Sequence, residues 1–307
     1  MKLISELKEI REPFKKAVVT IGNFDGVHIG HQALIRLAIE KARRLKGTSV
    51  VMTFEPHPLR VLNYDKRFPL ITPYEQKVEL IRTTGVDVLV CMPFTRELAA
   101  MPAKTFVKRV LCETIGMKAV IAGPDYSFGK NREGDISLLK EMARTCGFEV
   151  VIPGWVKLGA QRVSSTEIRN LVSEGGVNEA AKLLGRHYQV RGIVVHGRHR
   201  GGGLMGFPAT KLRLDDELCP SEGLYAVTVE YNGSTYNGIA NIRGNPTFDH
   251  WASSVEIHML NFEQAVHGGP LRVNFVRRLR SKEQFQKAEA LISQIGEEPI
   301  GDPGYPV

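Results

Sequence analysis

Gly22-Asn23-Phe24-Asp25-Gly26-Val27-His28-Ile29-Gly30-His31 decides the fold of this chain. Ahead of it runs Ala17-Val18-Val19-Thr20-Ile21, an apolar segment with strand character. Behind it Leu34, Leu37, Ala38, Ala42 and Leu45 recur at helical spacing until Gly47. A strand, a glycine-bearing turn and a helix N-terminus together make an anion site. The glycines let the backbone approach a phosphate, and the first helical N–H groups point at it with the helix dipole behind them. His28 and His31, three apart at the helix start, add two more donors on one face. The inference is a nucleoside triphosphate held for attack. Two histidines also suggest a metal pair, but Asp25 lies in the turn and no cysteine is near. The other competing reading is a structural turn with incidental histidines.

At 307 residues the chain suits two domains, each large enough for its own core. Its hydrophobic share, 43%, and charged share, 24%, are those of an ordinary globular protein. No run of about eighteen apolar residues exists, and Met1 to Lys8 carries no signal-peptide pattern. Cys91, Cys112, Cys146 and Cys219 lack pairing motifs or metal spacing, so reduced thiols in a cytoplasm are expected. A net charge of +8 permits nucleic-acid binding and equally suits an enzyme of phosphate-rich substrates. Without a basic-aromatic pattern the small-anion reading is favoured, with no nucleic acid and no membrane as partner.

The first half alternates strand and helix. Residues 48–54, 86–91, 118–123 and 148–153 read as strands, with Phe106, Val107, Val110 and Leu111 on a helix after Pro102. Leu138, Leu139 and Met142 mark another helix. The expectation is a doubly wound, Rossmann-like α/β domain with ligands at the carboxyl ends of its strands. From Ser164 to Gly185 the texture is helical, and after Arg186 it is strand-rich. Segments 188–196, 223–231, 235–242, 254–262 and 271–275 suggest an antiparallel β-barrel, with Asn232-Gly233 as a hairpin turn. A closing helix carries Phe285, Ala288, Leu291 and Ile292, and a loose tail follows from Gly296. The domains are therefore placed at residues 1–185 and 186–307.

Three further segments end strands or open a helix. Thr53-Phe54-Glu55-Pro56-His57-Pro58 and Gly123-Pro124-Asp125-Tyr126-Ser127-Phe128-Gly129 follow strands. Arg162-Val163-Ser164-Ser165-Thr166-Glu167-Ile168-Arg169 starts a helix, with Ser164 or Ser165 as N-cap and Arg169 one turn in. Hydroxyls, free N–H groups and a guanidinium make a second phosphate clamp. Standing alone, the same segment reads as a simple capping box.

With a literal His-Ile-Gly-His, the chain resembles the nucleotidylyltransferase superfamily. Its other segments narrow the resemblance to the prokaryotic bifunctional FAD synthetases, from about Val18 to about Ile295. The resemblance implies transfer of AMP from ATP to FMN, giving FAD and pyrophosphate. It implies His28, His31 and Arg169 as catalytic residues. ATP would be held by Gly22, Asn23, Phe24, Asp25, Gly30, Ser164, Ser165 and Thr166, with Mg²⁺ bridging phosphate oxygens. Pro56, His57, Pro58 and Asp125 would border the flavin. The nucleophile, a phosphate already anionic at neutral pH, needs no base, so positioning and positive charge carry the step.

The second half resembles riboflavin kinase through Arg191 to Gly197, Gly206-Phe207-Pro208, Gly223-Leu224-Tyr225-Ala226, Asn241 to Phe248 and Val255-Glu256-Ile257-His258. Glu256 matches the family's general base. The family's Thr-Ala-Asn, which helps hold Mg²⁺ on ATP, is here Ala209-Thr210-Lys211. Ala209 offers no oxygen and Lys211 puts a cation where a cation should bind. The preceding glycine-rich loop, residues 200–206, is one residue longer than usual. Sliding Thr210 back by one would turn it to the opposite strand face. Ala265-Val266-His267-Gly268 replaces the usual Asp-Leu-Tyr-Gly, and the final helix stops at Ile295. A weak or inactive kinase module is expected. The alternatives are a fully bifunctional enzyme, in which Lys211 stands in electrostatically for the metal, and a non-catalytic flavin-binding regulator. An aminoacyl-tRNA synthetase shares His-Ile-Gly-His, but the chain lacks a lysine-rich second loop and a tRNA-binding domain.

Overall fold

The structure is a computed structural model that describes residues 1–62, 68–195, 210–214, 217–243, 254–260, 262, 266 and 270–279. By contacts the chain divides into two units, Met1–Phe68 with Pro73–Val163, and Pro69–Thr72 with Ser164–Val307.

The first unit is built on β1 (Lys2–Ile4), β2 (Ala17–Ile21), β3 (Ser49–Glu55), β4 (Val88–Pro93), β5 (Met117–Ile121) and β6 (Glu149–Val151). They form one parallel sheet in the order β1-β4-β3-β2-β5-β6. All five residues of β2 are buried, as expected of a parallel strand covered on both faces. On one face α1 (Ile29–Leu45) lays Ile35, Ala38, Ile39 and Ala42 against the sheet. A second helix, α2 (Pro58–Leu62), follows β3, and α3 (Tyr74–Thr83) packs Val78 and Ile81 beside Val51 and Leu89. After β4 come the short α4 (Arg96–Ala99) and α5 (Ala103–Thr105). A π-helical segment, Phe106–Thr114, then packs with α6 (Ile136–Cys146) on the opposite face, around Val19, Ile21, Val50 and Met52. Beyond β6 a small hairpin pairs β7 (Lys157–Leu158) with β8 (Gln161–Arg162).

The expected doubly wound α/β architecture is present, with strand limits shifted by one or two residues. Crossovers run from β2 through β3 to β4 on one side, and from β5 to β6 on the other. The strand order therefore reverses between β2 and β5, where such sheets open a crevice at their carboxyl ends. The turns after β2 and β5 carry Gly22 to His28 and Gly123 to Gly129. Helix α1 ends differently from its sequence signal. The left-handed cap is Lys46 at φ +51, and Gly47 follows, donating its N–H to the Ala42 carbonyl at 2.9 Å.

In the second unit, α7 (Ser165–Glu174) and α8 (Val177–Leu184) precede the strands β9 (Tyr188–Val195), β10 (Thr210–Arg213), β11 (Gly223–Tyr231), β12 (Ser234–Arg243), β13 (Ser254–Met259) and β14 (Pro270–Leu279). These close into an antiparallel barrel, β10-β13-β12-β11-β14-β9. Tyr188, Val190, Leu212, Tyr225, Val227, Val229, Ile257, Val273 and Phe275 fill the interior by strand alternation. The β11–β12 turn has Asn232 at φ +48 and Gly233 at φ +79, the two positive angles of a type I′ hairpin. Helix α8 packs on β9 and β14, and Arg278 of β14 donates to the carbonyls of Glu174 and Glu222 at 3.1 and 2.6 Å. Both helices therefore count with the barrel by contacts, whereas the change of sequence texture falls later, at 185/186.

The glycine-rich loop, Gly206-Phe207-Pro208, Ala209, Gly244 to Phe248, Ala265, His267, Gly268, the closing helix and the tail lie outside the described residues. Among the described residues no helix is long and apolar enough to cross a membrane.

Candidate active site

The turn after β2 is unusual in its backbone. Phe24 has φ +49, Gly26 φ +90 and Val27 φ +39. A β-branched residue in the left-handed region is costly and persists only where its surroundings impose it. Those surroundings are visible. Gly22 N–H donates to the Met52 carbonyl at 3.1 Å, and buried Thr53 donates its hydroxyl to the Asn23 carbonyl at 3.1 Å. Gln32 donates its side-chain amide to the Val27 carbonyl at 2.9 Å. Phe24 and Val27 are themselves sealed in the core, and Asp25 is buried with them. The end of β3 and the first turn of α1 thus clamp the loop from both sides.

His28 is the N-cap of α1, and its Nδ1 accepts from the His31 backbone N–H at 3.2 Å. That bond needs the lone pair of Nδ1, so the proton of the neutral ring is assigned to Nε2. Sequence alone treats both histidines simply as donors. The structure makes His28 a cap through Nδ1, which leaves Nε2 to carry the proton. Its ring stacks on His31 with centroids 3.5 Å apart, and His31 meets the Phe24 ring edge-on at 5.1 Å. Gly22, Asn23, Phe24, Asp25, His28, Gly30 and His31 are therefore gathered at one helix start in the first unit.

A cavity of about 520 Å³ opens from the same turn. Gly22 and Asn23 belong to its lining, together with Asp125 to Gly129 from the loop after β5. Phe54, Phe94, Leu98, Met101, Phe106 and Phe128 make an aromatic and apolar wall. Pro58, Leu59 and Leu62 complete it on the side of α2. Tyr126 stacks on Phe128 at 5.4 Å, and burial pushes its hydroxyl well above the ordinary phenol range, so it stays a donor. Asp125 pairs with Arg162 at 2.6 Å, and that guanidinium lies 3.2 Å over the Trp155 ring. Asn131 and Arg132, both at positive φ, also line the cavity, and Arg132 donates to Ser127 at 2.8 Å.

Of the residues expected to border the flavin, Pro58 and Asp125 line this cavity, and Pro56 and His57 are not among its lining residues. His57 is buried, with its ring stacked on Phe68 at 4.7 Å and its Nδ1 accepting from the Leu59 N–H at 3.2 Å. Of the wall residues, Phe54 and Phe106 figure in the sequence reading only in a strand end and a helix, and Phe94, Leu98 and Met101 do not figure in it. They come from separate segments, and each reads by periodicity as ordinary core.

The Ser164 helix belongs to the second unit. Ser164 is the N-cap of α7, with its Oγ accepting from the Glu167 N–H at 3.2 Å. Ser165 and Thr166 occupy the first turn, and Arg169 follows within the same helix. In the barrel, Lys211 stands opposite Glu256 in the β10–β13 register, and Asn241 stands opposite Glu256 on β12. Directly opposed residues share a sheet face. Asn241 Nδ2 lies 3.5 Å from Glu256 Oε2. Thr210 pairs with buried Ile257 and so belongs to the other face. Among the described residues no three metal-ligating side chains are gathered.

A family model described as FAD synthetase matches residues 10–167, and one described as riboflavin kinase matches residues 184–299. The bifunctional riboflavin kinase/FMN adenylyltransferase of Listeria monocytogenes is 37% identical over 281 residues, covering 91% of this chain and 88% of that protein. The protein of the same description from Escherichia coli K12 is 33% identical, over 98% and 96% of the two chains. That from Bacillus subtilis is 35% identical, over 93% and 91%. A crystal structure described as a macrolide-efflux protein from Streptococcus pneumoniae superposes with a TM-score of 0.80 at 31% identity, covering 99% of each chain.

Proposed function

Since the chain belongs to the bifunctional riboflavin kinase/FMN adenylyltransferase (FAD synthetase) family, we propose that residues 1–185 transfer AMP from ATP to FMN and that the kinase module, residues 186–307, is weak or inactive. The observation that carries the first part is the shared turn. Gly22 and Asn23 begin the histidine loop and also line the apolar cavity. A triphosphate on the loop and a tricyclic ring in the cavity would then meet at that turn, and about 520 Å³ falls in the range of small-molecule sites.

In this reading an oxygen of the FMN phosphate attacks the α-phosphorus of ATP. The bond from α-phosphorus to the bridging oxygen breaks, and pyrophosphate leaves with that electron pair. His28 Nε2–H, the His31 ring and the first N–H groups of α1 stabilise the charge that builds on the phosphoryl oxygens. Ser164, Ser165, Thr166 and Arg169 form the second clamp on the departing pyrophosphate. Asn23, Phe24, Asp25 and Gly30 shape the loop around ATP, Pro58 and Asp125 contact the flavin, and Pro56 and His57 support that wall. Mg²⁺ would enter on the triphosphate, whose oxygens suit it. When bound, it neutralises pyrophosphate charge. The chain would act in the cytoplasm on nucleotides and flavins.

For the kinase module, the β10–β13 register supports the reading of lost activity. The face that carries Glu256 holds the cation Lys211, while the Thr210 hydroxyl lies on the other face. A fully bifunctional enzyme is the second reading, favoured by the family match over 184–299 and by the retained Glu256. One experiment tests both. The protein is incubated with Mg²⁺-ATP and either FMN or riboflavin, and the flavins are separated by chromatography. FAD and pyrophosphate should form from FMN, with little or no FMN from riboflavin. Absence of pyrophosphate release with FMN would remove the transferase reading. FMN appearing from riboflavin as fast as FAD forms would restore the kinase.

A further inference from the structure

Lys77 is a buried cation that the proposed adenylyl transfer does not use. It lies in the first turn of α3, with its side chain only 4% exposed. Its ammonium donates to the Phe54 carbonyl at 3.1 Å and to Glu55 Oε2 at 3.3 Å. A charge withdrawn from water is strongly disfavoured unless it is paired, so these contacts hold whatever carries them. Both partners are at the end of β3, where the strand turns into Pro56-His57-Pro58.

The same strand end is held from β4. Phe94 donates its N–H to the Glu55 carbonyl at 3.1 Å, and the Phe54 and Phe94 rings meet edge-to-face at 5.6 Å. Both rings line the cavity, as do Pro58 and Leu59 just beyond. A side chain from α3 and a backbone amide after β4 thus grip the two residues from which the wall is hung. Only a long side chain ending in a donor can reach from α3 to both the carbonyl and the carboxylate.

We propose that Lys77 is a positioning residue for the flavin, holding the Phe54–Leu59 wall in the shape that accepts the ring. The proposal rests on the reading that the cavity takes the flavin. Lys77→Met keeps length and apolar bulk while removing the charge. It should raise KM for FMN about tenfold and leave KM for ATP within about twofold, the scale expected for a small misplacement of a binding wall. Glu55→Gln/Lys77→Met removes both charges. Its thermal midpoint should return towards that of the unsubstituted protein while KM for FMN stays high. A role in stability alone would move the midpoint and leave both KM values unchanged.

An unchanged KM for FMN in folded Lys77→Met, or its recovery together with stability in the double variant, overturns the proposal. If Lys77→Met does not fold, the double variant carries the same test. Met101→Trp, which fills the cavity, separates the underlying reading. If it leaves KM for FMN unchanged, the flavin is elsewhere and the cavity reading fails. If it raises KM for FMN while the Lys77 variants are silent, only the role of Lys77 fails.

Discussion

Gly30 leaves the space that the His28 ring occupies. A Cβ on Gly30 would stand 3.1 Å from His28 Cε1 and 3.2 Å from its Nδ1, so a side chain there competes with the ring. Gly30→Ala is therefore expected to tilt His28 and to lower FAD formation about tenfold or more. The crowded Nδ1 is the acceptor that caps the His31 N–H, so the helix should also lose up to about 1 kcal/mol of that cap. Turnover and the thermal midpoint measured on the same preparation should both fall. An alanine variant with full turnover would detach the ring from phosphate binding.

His28 does two jobs that different substitutions separate. His28→Ala loses both the cap on α1 and the Nε2 donor, whereas His28→Asn retains a capping side chain. Both should lower FAD formation by about 10²-fold, the scale for one lost oxyanion donor. The alanine variant should also lose about 1 kcal/mol of stability that asparagine recovers. His31→Ala is expected to lower turnover by about 10²-fold in the same steady-state assay.

Ala209→Thr/Lys211→Asn returns oxygen-bearing side chains at the two positions where the sequence departs from the family and removes the cation facing Glu256. FMN formation from riboflavin should rise above that of the unsubstituted protein, and adenylylation of FMN should not change. Chromatography of the flavins reads both. No gain would place the defect elsewhere in the module, for instance at Ala265 to Gly268, where the sequence departs from the family's pattern.

His187 makes the second unit sensitive to acid. Its Nδ1 is buried without a hydrogen-bond partner, and burial lowers its pKa from the ordinary value of 6.5. The unfolded chain therefore takes up a proton that the native ring resists. The contribution to stability is complete above the unfolded value and is lost as pH falls through the lower, native one. Urea midpoints should drop between about pH 7.5 and about pH 5, and His187→Phe should flatten that drop. An unaltered slope in the phenylalanine variant would assign the acid sensitivity to other groups.

The β2–turn–α1 unit was legible because its signals are local. A short apolar run, glycine placement and helical spacing all lie within thirty residues, from Ala17 to Lys46. Asn232-Gly233 was legible for the same reason, since two positive φ angles are what that dipeptide accepts. The cavity wall was not. Phe54, Phe94, Met101 and Phe128 are brought together by strand order, and sequence spacing carries no trace of it. Nor does a lysine in a first helical turn reveal burial, because Lys77 is hidden by contacts with another strand's end. Val27 shows the limit most sharply. Propensity opposes its backbone angle, and only the clamp from Thr53 and Gln32 accounts for the turn it joins. Strand β1, three residues long, is too short for any period to register.

The barrel's closure bears on how molecules of this protein meet at high concentration. Among the described residues its six strands each have two neighbours, so that sheet has no edge strand to offer a stranger's strand. The parallel sheet does have rims, but β1 and β6 are three residues each and give a poor template for edge-to-edge growth. Self-association through strand addition is thereby discouraged in both halves, by a ring with no end and by margins too brief to copy.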